Sequence, residues 1–412
     1  MTWFDLNELD RTMGALDASL GSVESAVAMP NECYTSETFY AFERLAVFER
    51  SWLGLGRVEQ IPEPGDYFAL SVSGEPLVVI RDTEGEINVL SNVCAHRNHL
   101  VAHGDGHVGH LLICPLHGWA YGLDGKLVNA TQIRDREAFD RLAHCLPALR
   151  VEIWNGFIFA SHDPDVLPLA PTLAKLNAYA EPYHVDQLET TAITESPVLP
   201  WNWKTMFENG LEPLHTHFLH HGLHDFAPWP EFLDFEDGDG QIMHPTRFRE
   251  MDQGYNPLNR SLLPILPDLD EQRRSQVMFA AVPPTLYLGF LPDHVFWSLY
   301  LPEGPTSMRI RGGLLTHASA RDLPAYDRMV EWVGEGQAGL FAQDAGANTS
   351  VQLGRASRYA RRGPYAREEA TLPQWNSWMA QRYRSAYQDL LAREVSQARL
   401  VPLDEQPRSL RD

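Results

Sequence analysis

At 412 residues the chain is too long for one ordinary core and predicts two or three domains. Its residues are 44% hydrophobic and 10% aromatic, which excludes a disordered chain, and only four are cysteine, which excludes a disulfide framework. A formal net charge of −22, from 33 basic against 55 acidic residues, argues against nucleic acid or an anionic membrane surface as a partner.

The N-terminus, MTWFDLNELDRTMGALDASLG, has no basic stretch leading into an apolar run, so no secretory signal is expected. No apolar run is long enough for a membrane span, and a cytoplasmic protein with reduced thiols is expected. Phe39, Phe42, Leu45, Phe48 and Trp52 recur at helical spacing, with Ser36 as the expected N-cap and Gly54 or Gly56 as the stop. From Pro62 the period changes to two. Three strands are expected, with turns at Ser73-Gly74-Glu75 and Thr83-Glu84-Gly85, and a hairpin over 149–161 turning at Asn155-Gly156. Pro164, Pro168 and Pro171 mark a boundary. Beyond it the pattern predicts helix over 200–221, strands within 285–317, and two helical stretches near the end. The last of these opens at Pro373 and carries Trp375, Trp378, Met379, Tyr383, Tyr387 and Leu390 on one face. No internal repeat is present.

Two segments concentrate chemistry. In Ser91–Gly122 there are two cysteines and six histidines. Cys94-x-His96 and Cys114-x-x-His117 form two short clips, separated by the 17 residues between His96 and Cys114. Their spacing allows either a structural zinc held by all four, or a 2Fe–2S cluster with cysteines on one iron and histidines on the other. His99, His103, His107 and His110 do not fit the clip spacing and are expected to be loop residues. Cys33 and Cys145 are expected to be small buried residues.

The second segment, NWKTMFENGLEPLHTHFLHHGLHDF, holds five histidines and two glutamates. On an ideal helix His217 and His221 share a face, whereas His215 and His220 diverge by about 140°. Periodicity therefore favours His217 with His221. His215 and His220 can meet only if the helix is broken between them.

CAHRNH…CPLHGWAYGLDGKL resembles the Rieske motif, and Pro115, Gly118, Trp119 and Tyr121 match beyond the four ligand positions. Asn98 departs from it, since the family usually has glycine there. NWK…EN…E-x-x-H-x-x-x-x-H resembles the catalytic motif of Rieske non-haem iron oxygenases, the aromatic-ring-hydroxylating and quaternary-amine type. Asn202, Trp203, Lys204, Glu208 and Asn209 match its upstream part, and Glu212, His215 and His220 fall on the motif. A looser match places Asp344 eight residues before Gln352.

The resemblance spans about residues 35 to 390. It implies an α+β chain: a helical segment over 1–56 packing on the catalytic domain, a β-rich Rieske domain over 57–162, and a catalytic domain with a central antiparallel sheet over 163–412. It implies a cluster on Cys94, His96, Cys114 and His117, and mononuclear Fe(II) on His215, His220 and Asp344. Glu212 is then a carboxylate bridging the two centres, with Asn209 beside it. Electrons from NAD(P)H are expected through a separate flavin/iron–sulfur reductase, with or without a ferredoxin, and O2 is the co-substrate. In the implied homotrimer, His117 of one subunit faces Glu212 of the next. The expected reaction is hydroxylation or demethylation of a small organic molecule. Cis-dihydroxylation of an aromatic ring is the alternative, and a non-catalytic Rieske electron carrier is the alternative of another class. Trp201, Phe226, Trp229 and Tyr287 are candidates to line a pocket, with a place in the core as the alternative.

Overall fold

The computed structural model describes residues 5–130, 133, 139–191, 193–228 and 241–400, with side chains to 393. Ser36 caps the helix Glu37–Glu43 as the sequence predicts, its hydroxyl accepting from Phe39 N–H. That helix runs into a wider turn over Arg44–Phe48 and stops there. Gly54 and Gly56 instead lie in a strand, Leu53–Arg57, which pairs with Phe157–Ser161. The boundary drawn at residue 56 thus falls inside a strand that joins the start of the β region to its end.

Phe157–Ser161 in turn pairs with Arg150–Trp154, and these two strands are the expected hairpin; Asn155 and Gly156 both take positive φ. The other strands of the first half form two antiparallel sheets. One has the order Ile87–Ser91, Glu75–Arg81, Asp66–Val72, Asp105–His107. The other is a meander of three short strands, Leu111–Ile113, Ala120–Gly122 and Leu127–Asn129. A small core of its own, including Val78, Ile80, Leu90, Leu112, Trp119 and Tyr121, lies beneath Cys94 and Cys114.

The second half is built on a seven-stranded antiparallel sheet. Its consecutive strands Gln276–Val282, Leu286–Phe290, Val295–Gly304 and Ser307–Thr316 pair as neighbours. Ile242–Arg247 extends it at one edge, and Glu189–Thr190 and Thr194–Glu195 pair with Ser307–Thr316 at the other. Three helices matter for the site: Trp203–Leu211, Tyr326–Arg355 and Thr371–Leu400. The apolar face read from the last of them is buried: Trp375, Trp378, Met379 and Tyr383 all join the main core. Among the described residues no helix is long and apolar enough to cross a membrane.

Candidate metal centres

The two Cys/His clips are folded alike. Cys94 N–H donates to His99 O and Asn98 N–H to Cys94 O; Cys114 N–H donates to Trp119 O and Gly118 N–H to Cys114 O. Each loop therefore needs a left-handed residue four positions after its cysteine. Gly118 has φ +71° and Asn98 has φ +58°. Asparagine is among the few side-chain-bearing residues that tolerate this region, so the departure at position 98 preserves the turn. The loops bring the His96 and His117 rings to 4.6 Å, centroid to centroid, and Trp119 stacks on His96 at 4.8 Å.

Both cysteines are buried and not in disulfides. Tyr121 OH accepts from Ala95 N–H at 3.1 Å, which leaves its own proton for Cys94 Sγ at 3.2 Å. Buried Nδ1 of His96 has no hydrogen-bond partner in the protein, and burial, aided by His117, lowers the affinity of the ring for a proton. A neutral imidazole with an unused inward nitrogen, beside two buried thiols, fits a metal cluster. The four donors could hold a 2Fe–2S cluster, with Tyr121 donating to one sulfur. Of the other histidines in this region, His107 is paired with Asp66 at 2.9 Å, and His99 contacts Leu100 O. Cys33 is buried in the main core, where desolvation pushes its thiol far up.

In the second segment the predicted single helix is three short ones: Trp203–Leu211, Leu214–Leu219 and Leu223–Phe226. The first break follows from Glu212-Pro213. A residue before proline is driven out of the helical region, and Glu212 has φ −119°, ψ 137°. In that extended conformation its carboxylate reaches forward, accepting from His215 N–H at 3.1 Å and lying 2.5 Å from His215 Nδ1. The second break is at His220, with φ −99°, ψ 84°, before Gly222 at φ +85°. These two breaks bring the rings of His215 and His220 to 5.2 Å despite their unfavourable helical spacing. The pair favoured by periodicity does not form: His217 packs against His224 at 4.9 Å, and His221 is exposed.

Asp344 comes from the long helix Tyr326–Arg355, which runs antiparallel to Trp203–Leu211 in a definite register. Gln352 Oε1 accepts from Asn202 N–H at 2.9 Å, Asn348 Nδ2 contacts Met206 Sδ at 3.2 Å, and Asn209 Nδ2 donates to Asp344 Oδ1 at 3.2 Å. Gln352, two turns beyond Asp344, thus locks the helix that carries it. Asp344 Oδ1 lies 3.2 Å from His220 Nε2 and 3.6 Å from His215 Nε2. Among the described residues, His215, His220 and Asp344 form a set whose ligand atoms all lie within 4.8 Å of one another. Two imidazoles and one carboxylate suit Fe(II) with open positions.

The Nδ1 atoms of both rings are occupied, that of His215 by Glu212 and that of His220 by Gln343 Oε1 at 2.8 Å. Carboxylate and amide oxygens can only accept, so both rings carry their proton on Nδ1 and present Nε2 to the metal position. Burial lowers the proton affinity of His220, but Asp344, Gln343 and Glu212 together outweigh it and hold the ring above the usual histidine range. Gln343 was not legible from spacing, since its only signal is adjacency to Asp344.

The upstream motif residues hold the scaffold rather than the metal. Asn202 Oδ1 caps the helix at Lys204 N–H. Lys204 Nζ is 2.7 Å from Glu43 Oε1, and both side chains are fully buried; Glu43 Oε2 accepts from Trp203 Nε1, and Tyr383 OH donates to Oε1. Glu208 bonds Arg355 and Tyr34. These contacts tie the N-terminal helices to the metal-bearing ones.

A cavity of about 660 Å³ opens from the triad. Tyr287 lines it, and its hydroxyl donates to Gly210 O at 2.5 Å; a Cβ on Gly210 would meet that ring at 2.7 Å. Trp201 and Phe226 are core residues outside the lining, and Trp229 lies outside the described residues. Phe279, Phe296 and Tyr300 line it from the sheet, Tyr255 from the loop that follows Ile242–Arg247, and Val330, Gln337 and Phe341 from the helix Tyr326–Arg355. Sequence reading missed the sheet residues because alternation locates strands without showing which face meets the metal.

The two halves of the chain match separate family profiles. The family profile described as "Ring hydroxylating alpha subunit (catalytic domain)" matches residues 176–385, and the Rieske 2Fe–2S domain profile matches 51–146. The glycine betaine monooxygenase oxygenase subunit of Chromohalobacter salexigens is 28% identical over 86% of this chain and 87% of its own. The chloroplastic choline monooxygenase of Arabidopsis thaliana is 26% identical over 88% and 84%. The crystal structure of the quaternary ammonium Rieske monooxygenase CntA with an inhibitor superposes with a TM-score of 0.72, at 20% identity, covering 91% of this chain and 98% of that one, a likeness of fold.

Proposed function

This chain belongs to the ring-hydroxylating alpha-subunit family of Rieske-type oxygenases, and from that premise we propose that it removes an N-methyl group from a methylated ammonium compound. Such alpha subunits are oxidoreductases that carry a Rieske cluster and a mononuclear iron, receive electrons from a separate reductase and act on small molecules. The observation that carries the proposal is the His215–His220–Asp344 constellation at one end of an aromatic-walled cavity. The names of the two relatives, a betaine and a choline monooxygenase, supply the direction towards N-methyl groups and monooxygenation.

In this reading Cys94, His96, Cys114 and His117 hold the cluster, and His215, His220 and Asp344 hold the iron. When bound, these metals supply electron delivery and dioxygen activation. The chain's own groups do the placing. Asn209 orients Asp344, Gln343 and Glu212 set the imidazole tautomers, and the aromatic wall excludes water from the substrate carbon. Hydroxylation of an N-methyl carbon consumes one O2, two electrons and two protons and yields water and an N-hydroxymethyl group. That group breaks down to formaldehyde and the amine with one methyl fewer.

Glu212 is assigned as the carboxylate between centres of neighbouring subunits in a homotrimer. Support comes from His117, flanked by exposed Leu116 and Gly118 at the domain surface, and from Glu212, already hydrogen-bonded to His215. A flavin/iron–sulfur reductase, with or without a ferredoxin, and a cytoplasmic location complete the proposal.

The test is turnover with a generic reductase and NADH on a panel of methylated amines and of arenes. N-demethylation predicts oxygen uptake matched by formaldehyde and a product one methylene lighter. A product gaining two oxygens, with no formaldehyde, overturns the reading in favour of ring dihydroxylation.

A further inference from the structure

We propose that the cavity selects a bulky methylated ammonium ion that bears no carboxylate, so that betaine-type zwitterions are excluded from productive binding. The proposal rests on the N-demethylation reading above and narrows its substrate class.

Charge in the lining is one-sided. Three carboxylates line the cavity, Glu195, Glu212 and Asp344, and among the described lining residues there is no lysine or arginine. Arg309 approaches the lining, 3.8 Å from Glu195, but is tied to Glu303 at 2.6 Å. The lining histidine besides the two of the triad is His244, on the strand Ile242–Arg247. It is buried and stacked on Phe279 at 6.3 Å, where desolvation opposes a positive charge. A substrate carboxylate would be stripped of water here, and no cationic side chain among the described lining residues would receive it. Its one positive partner would be the metal position itself, which would turn the methyl groups away from the reacting end.

The wall, by contrast, is built for a cation. Tyr255 stacks near Phe279 at 6.3 Å, Phe279 near Tyr287 at 6.1 Å and Tyr287 near Tyr300 at 5.7 Å, with Phe296 tilted 6.2 Å from Phe279. Such a surface offers aromatic side chains to an ammonium group, and a cation held there lies within the field of the carboxylates. The volume of about 660 Å³ belongs to the range for drug-sized ligands and far exceeds a trimethylammonium group. The remainder of the substrate is therefore a sizeable apolar group.

Three soluble probes of matched size test this on the as-isolated holoprotein by calorimetry and, with reductase, by formaldehyde release. They are trimethyl(3-phenylpropyl)ammonium, the same cation with a para-carboxylate on its ring, and 4-phenylbutanoate. The cation is expected to bind and release formaldehyde, the zwitterion to bind about 10-fold or more weakly, and the anion weakest. Glu195→Gln, at the half-exposed mouth, should narrow the gap between cation and zwitterion; Phe296→Leu should weaken the cation most. Formaldehyde release with the zwitterion bound as tightly as the cation overturns the charge rule alone. No formaldehyde from any methylated amine, with a neutral arene oxidised instead, overturns the demethylation reading and this proposal together.

Discussion

Two acceptor oxygens decide which nitrogen of each histidine faces the metal position. Glu212 holds Nδ1 of His215 and Gln343 holds Nδ1 of His220, so both Nε2 atoms converge on Asp344. Gln343→Leu removes one of these acceptors without touching a ligand. It should weaken iron binding at this site by about 10- to 100-fold while leaving the visible spectrum of the cluster unchanged, as checked by metal titration of the variant. The four residues proposed for the cluster were legible because two clips, Cys-x-His and Cys-x-x-His, are local and bring their donors together within one loop each. His215 and His220 were not legible from periodicity. An ideal helix separates them, and only the chain breaks at Glu212-Pro213 and His220 bring them together. Resemblance to the motif selected them where helical geometry alone favoured His217 and His221. Gln343 carries no spacing signal at all, since its role depends on a tertiary contact.

Chain breaks bring the two histidines together, and a helix–helix contact sets the position of Asp344. The antiparallel contact of Trp203–Leu211 with Tyr326–Arg355 steps along both helices at 202 with 352, 206 with 348 and 209 with 344. This explains why a glutamine eight residues after Asp344 belongs to the pattern. A second device, the buried Lys204–Glu43 pair, fixes the metal-bearing helix to the N-terminal one. Lys204→Met leaves Glu43 charged and buried, which should cost about 3–5 kcal/mol. The measurement is a lowered unfolding midpoint of the catalytic half, with partial recovery when Glu43→Met is added. Glu43 lies 161 residues from its partner, so no local pattern could reveal the contact. The strands at 286–316 were legible from alternation, whereas Ile242–Arg247 and Gln276–Val282 were not singled out. Pro245 inside the first weakens it as a strand signal, and Ala280-Ala281 weakens the second.

At the scale of the whole molecule, one chain contains two sites of different chemistry. A small β region with its own core presents two cysteines and two histidines, and a larger sheet-and-helix region presents a triad at the end of a cavity. An electron carrier would need only the first. The second region, with its aromatic wall and its carboxylate-held histidines, makes the chain an oxygenase component. Its one-sided lining charge points to the kind of molecule it oxidises. The most direct test compares iron and acid-labile sulfide in the wild-type protein and in Asp344→Ala. About three irons and two sulfides per chain are predicted for the wild type. The variant should retain about two of each, with the cluster spectrum intact and oxygen uptake coupled to formaldehyde abolished. An Asp344→Ala protein that keeps its third iron and full turnover would contradict the account.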